Sequence, residues 1–117
     1  MRALVLAIVL PLTAAPASAQ TVIAPCDALQ HVGEKVTVEG AVEQVNHPTS
    51  GYVTYINMCG RFPKNSFQAV VADDDIAKFP GLEAIDGKTV AITGLVKRRH
   101  KDHAEIILND PAQLKSK

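Results

Sequence analysis

Branched apolar residues alternate with polar ones in two stretches of the chain that share the same frame. Gly33-Glu34-Lys35-Val36-Thr37-Val38-Glu39-Gly40-Ala41-Val42 is echoed by Gly87-Lys88-Thr89-Val90-Ala91-Ile92-Thr93-Gly94-Leu95-Val96. A period of two puts Val36, Val38 and Val42 on one face of a strand, and Val90, Ile92 and Val96 on one face of another. Gly40 and Gly94 fall on those same faces. A glycine weakens a flat strand, so both positions predict a sharp bend or a close approach by another backbone, as at the corner of a small barrel.

Turn residues divide the rest of the chain into further elements. Residues 20–25 read as an extended lead-in, and 27–32 as one helical turn that Gly33 can end. The first strand is expected over 35–45, and Asn46-His47-Pro48-Thr49-Ser50-Gly51 as a loop. Residues 52–58 are rich in aromatic and β-branched side chains and predict the second strand, broken at 59–66. A third strand over 67–72 has Phe67, Ala69 and Val71 on one face. Asp73-Asp74-Asp75 then offers capping carboxylates to a short helix through Phe79, stopped by Pro80-Gly81. The second glycine frame is the fourth strand, followed by the basic run 97–103. Residues 104–108 form the fifth strand, Asn109-Asp110-Pro111 turns the chain, and 112–117 is a mostly polar tail. Five strands with one short helix between the third and fourth predict an all-β, five-stranded Greek-key barrel of the oligonucleotide/oligosaccharide-binding (OB) type.

Val36-Thr37-Val38-Glu39-Gly40, Thr54-Tyr55-Ile56-Asn57-Met58, Phe67-Gln68-Ala69-Val70-Val71, the second glycine frame and Ile106-Ile107-Leu108-Asn109-Asp110-Pro111-Ala112-Gln113-Leu114 carry a family likeness. Over residues 28–114 the chain resembles the small bacterial OB-fold domains related to the tRNA-anticodon-binding and helicase type. The matching positions are mostly structural, so the likeness implies the fold directly and nucleic-acid binding only by analogy. It also sets Tyr55 where a core aromatic lies.

Arg2, the apolar stretch 3–12 and Ala17-Ser18-Ala19 have the form of a cleavable signal peptide over 1–19. The expectation is one OB-fold domain over 20–117, exported to the periplasm or secreted, with no membrane span after cleavage. A domain of this size buries only about 60 per cent of its unfolded surface and benefits from a staple. Cys26 and Cys59 are the two cysteines. Export places them where disulfides persist, so a Cys26–Cys59 bridge is expected. A redox or metal role for the pair is the weaker reading, since there is no C-x-x-C and no further thiol. Without Arg2, eleven Lys and Arg face twelve Asp and Glu. Such neutrality argues against a protein whose main task is coating nucleic acid.

Barrels of this type bind across strands two and three, between the loops joining strands one and two and strands four and five. Lys97, Arg98, Arg99 and Lys101 in the second loop can pair with phosphates. A solvated hairpin tip that keeps edge strands apart accounts for the same residues. Single-stranded ligands also need aromatic faces. Tyr52 is the expected stacking surface, with Phe62 available from the next loop, and Asn57 offers a hydrogen bond if it faces outward. His47 lies in the first loop and joins this ligand-binding set. A zinc or copper site at His100, His103 and His47 lacks carboxylate or thiol partners, so no metal site and no cofactor are expected. No catalytic motif is present, and an enzyme is not expected. Two readings stay open: a non-catalytic module for single-stranded nucleic acid or another oligoanion, and an interaction or accessory domain that contacts an envelope protein.

Overall fold

The computed structural model describes residues 21–49 and 51–117; the expected signal segment and its cleavage site lie outside them. Eight strands form: β1 Val22–Ile23, β2 Lys35–Asn46, β3 Val53–Met58, β4 Phe67–Ala72, β5 Thr89–Leu95, β6 Lys97–His100, β7 His103–Leu108 and β8 Leu114–Ser116. Their order is β6-β7-β4-β3-β2-β5-β8, with β1 added to β2. The expected five strands are β2, β3, β4, β5 and β7. The other three are short additions that periodicity does not mark. The basic run is a hairpin and not an open loop, with β6 over Lys97–His100, a turn at 101–102 and His103 opening β7, and the polar tail holds a strand paired with β5.

Helical structure among the described residues is confined to short 3-10 stretches. The turn expected at 27–32 is Pro25–His31, followed by Gly33 at φ +89°. The short helix expected from Asp73 to Phe79 is a 3-10 piece, Asp73–Lys78, that ends before Pro80-Gly81, and a second piece not expected, Leu82–Ile85, follows Gly81 at φ +73°. Asp73, Asp74 and Asp75 occupy the first turn, but none of them caps it. Asp75 instead pairs with Lys78 at 2.8 Å.

Both alternating frames bury the face that the pattern assigns. Val36, Val38, Val42, Val90, Ile92 and Val96 pack with Ile56, Met58, Phe67, Val71, Ile106 and Leu108 in one core. β2 and β5 pair antiparallel, placing Gly40 opposite Val90 and Val36 opposite Gly94. The close approach at each glycine is made by a side chain and not by backbone. A Cβ on Gly40 would sit 2.7 Å from Cγ and Cδ of Pro25, and one on Gly94 would sit 2.6 Å from Cγ2 of Ile106.

The Cys26–Cys59 disulfide forms, with Cα atoms 5.2 Å apart. It ties the first 3-10 turn, and with it the Pro25 ring that presses on Gly40, to the end of β3. β4 and β7 pair parallel, so the chain returns across the sheet before it reaches β7. β5 and β7 then face each other across a seam, where Gly94 meets Ile106 and the Gln113 amide donates to carbonyls on both sides.

Candidate ligand-binding cleft

The outer face of the sheet carries the strand positions that alternate with the core. Tyr55 and Asn57 come from β3, Gln68 and Val70 from β4, and His103, Glu105 and Ile107 from β7. On β2 a bulge between Val42 and Gln44 resets the alternation, so that Gln44 and Asn46 lie opposite Asn57 and Tyr55. The register then aligns Gln44, Asn57, Gln68, Glu105 and Lys97 as one polar row across five neighbouring strands.

Much of that row is covered by the 59–66 loop. Asn65 donates from Nδ2 to Asn57 Oδ1 at 3.1 Å and to the Phe67 carbonyl at 3.2 Å. Asn57 Nδ2 in turn donates to Gln44 Oε1 at 3.2 Å, and the Phe62 amide donates to the same oxygen at 3.1 Å. Asn57 is therefore buried, 1 % exposed, and its hydrogen bonds are made within the protein. The outward role expected of it is corrected: its position is on the outer face, but a loop occupies that face first. Glu105 is also buried and accepts from Gln68 Nε2 at 2.8 Å, which supplies the partner that a carboxylate out of water requires.

Beside the covered row lies a cleft of about 410 Å³. Tyr55 and Gln68 reach it from the strands, Asn46 and Pro48 from the end of β2 and the loop after it, and Phe62 and Pro63 from the 59–66 loop. Arg99, His100 and His103 close the far side from the β6–β7 hairpin. The register shift between Arg98 and His100 is a bulge, and it lets two consecutive residues, Arg99 and His100, both line the cleft. The His100 and His103 rings stand edge to face, centroids 6.0 Å apart. The result is one cleft lined by two aromatic rings, two prolines, a guanidinium and two imidazoles, with the amides of Asn46 and Gln68 among them. That lining suits a ring with an attached anion.

The predicted site residues are only partly gathered here. Arg99 lines the cleft. Arg98 donates from Nη1 to the Lys101 carbonyl at 2.7 Å and closes the hairpin turn, with Lys101 exposed at its tip. Lys97 lines a separate groove beside β5. Tyr52 precedes β3 and is 82 % exposed, outside the cleft lining. His47 also lies outside it: Nδ1 is 3.1 Å from Thr54 Oγ1 and 3.2 Å from the Val53 carbonyl, within a recess that includes Asp73 and Phe79. Tyr55, expected in the core, is half-buried on the cleft side, and Phe62, 64 % exposed, stands at the rim. Alternation already puts Tyr55 and Gln68 on the outer face; what it lacks is the bulge that brings the hairpin over them. No cluster of three or more His, Cys, Asp or Glu that could hold a metal is present among the described residues.

Comparison with known proteins rests on structure. No protein-family model matches the sequence, and no curated protein matches it. The fold is similar to part of a Leishmania major Friedlin protein assigned as an aspartyl-tRNA synthetase, at 14 % identity and a TM-score of 0.51. That match covers 90 % of this chain and 22 % of the synthetase, so the chain spans about a fifth of its length. It is also similar to OBody AM1L10, solved bound to hen egg-white lysozyme, at 18 % identity and a TM-score of 0.53, covering 75 % of this chain and 83 % of the OBody. The shared feature is an OB-type β fold. No helix among the described residues is long and apolar enough to cross a membrane.

Proposed function

We propose that this chain is a non-catalytic, exported OB-fold binding module whose cleft receives a short stretch of single-stranded nucleic acid or a comparable oligoanion. In this reading β2, β3, β4, β5 and β7 are the five strands of a Greek-key barrel that closes at the Gly94–Ile106 seam. The observation that carries the reading is that Tyr55 and Phe62 line one cleft together with Arg99, His100 and His103. An unpaired base stacks on the aromatic rings, and its phosphate meets the guanidinium. The volume is that of a small-ligand pocket and suits one or two nucleotides better than a long strand.

The similarity to a tRNA synthetase agrees with this ligand class, although at 14 % identity it speaks to the fold. The match to an OBody solved on lysozyme favours a second reading, an accessory domain that holds a protein partner of the cell envelope. Fluorescence titration with a short labelled thymine oligonucleotide separates the two. Binding that weakens as salt rises and is weaker in Arg99→Glu supports the first reading, and no binding at low salt removes it.

A further inference from the structure

A groove of about 840 Å³, roughly twice the volume of the cleft, runs along the β5–β7 seam on a different side of the hairpin. Its lining includes two large exposed aliphatic side chains, Leu95 at 48 % and Ile107 at 42 %. Lys35 of β2, Lys97 of β6 and Lys115 of β8 also line it. These lysines are far apart in sequence and converge only through the strand order. None of them belongs to an ion pair among the described residues, where Lys78 and Lys117 do find carboxylates. The acid in the lining, Asp110, is engaged as a helix cap, with Oδ1 accepting from the Ala112 amide at 2.9 Å.

We infer that this groove is a docking site for an extended acidic segment of a partner protein, one that places aliphatic side chains against Leu95 and Ile107 and carboxylates against the three lysines. The choice of occupant follows from the lining. Three lysines without an acidic partner in one groove complement an anion, and the aliphatic surface beside them complements an apolar group. Nucleic acid is the poorer fit, because no aromatic ring lines the groove and a base has nothing to stack on. The site is separate from the cleft, so it stands or falls independently of the ligand proposed there.

The test is an amide chemical-shift titration of the oxidised protein with a capped peptide carrying two central leucines flanked by glutamates. Saturable shifts clustering at Lys35, Thr93, Leu95, Ile107 and Lys115 are expected, and Lys35→Glu with Lys115→Glu weakens binding by about tenfold or more at unchanged melting temperature. Leu95→Asp is a second variant, expected to weaken binding by removing the aliphatic surface. Absence of saturable shifts, equal binding of a lysine-flanked peptide, or indifference to both sets of substitutions overturns the proposal. Saturable shifts of the same residues by a thymine oligonucleotide, without a response to the acidic peptide, also overturn it in favour of a nucleic-acid groove.

Discussion

The side-chain amide of Gln113 donates to the main-chain carbonyl of Thr93 at 3.0 Å, and this hydrogen bond holds the seam of the sheet. The same nitrogen donates to the Ile107 carbonyl at 3.1 Å, while Gln113 Oε1 accepts from the Asn109 and Asp110 amides at 2.9 and 3.0 Å. One side chain thus uses both donors and both acceptor positions to join β5, β7 and the turn that follows. It bridges β5 and β7, two strands that do not pair with each other.

Gln113→Ala is expected to destabilise the protein by about 1–3 kcal/mol, because four main-chain groups lose their partner together. Gln113→Glu is expected to be comparably harmful: a carboxylate can accept from the two amides but cannot donate to the two carbonyls. Urea denaturation of both variants checks this, and wild-type stability in either contradicts the role.

The two strand glycines are predicted to fail for different local reasons. Gly40→Ala meets the Pro25 ring, and Gly94→Ala meets Ile106 and then Gln113 Nε2 at 3.1 Å. Each is expected to cost about 1–3 kcal/mol through overpacking. Pro25→Ala should largely relieve the first, and Ile106→Ala with Gly94→Ala should cost less than the two single changes added. Double-mutant cycles measure both couplings.

Removal of the Cys26–Cys59 bridge in the double serine variant is expected to lower stability by about 3–4 kcal/mol, the chain-entropy value for a closed loop of this length. The ligand cleft should loosen with it, because Cys59 begins the loop that carries Phe62 and covers Asn57. Equilibrium unfolding gives the first quantity. Hydrogen exchange at the Phe62 amide, which donates to Gln44, gives the second.

Within the cleft, Tyr55→Ala and Phe62→Ala are each expected to weaken oligonucleotide binding by about 1–3 kcal/mol, the usual contribution of a stacked base. Tyr52→Ala should leave it unchanged, since Tyr52 stands outside the lining. Titration of the three variants checks the assignment.

The strand pattern is legible in the sequence because a core face repeats every second residue, and Val36, Val38, Val90 and Ile92 obey that rule without exception. β8 is not, because Leu114 is its one apolar residue within a polar stretch, and what makes the segment a strand is its pairing with Val90, Ala91 and Ile92 of β5. The disulfide follows from two cysteines and the expectation of export. The binding residues are harder to read for two physical reasons. The bulges at 42–44 and 98–100 shift which side chains share a face, and the 59–66 loop covers Asn57 by hydrogen bonds that no spacing encodes. Arg98 and Arg99 are neighbours of identical chemistry. The fold gives the first a turn to close and the second a cleft to line.

Arg99 and the aromatic rings that share its cleft are the heart of the proposed oligoanion site, and the decisive experiment is the salt dependence of thymine-oligonucleotide binding in wild type and Arg99→Glu. Binding at low salt is expected to weaken steadily as salt is added. The log-log slope should become shallower by about 0.7 in Arg99→Glu, which leaves one phosphate without its neutralising cation, and should change little in Lys97→Glu. Binding that ignores both salt and Arg99, or no binding in dilute buffer, would rule the site out.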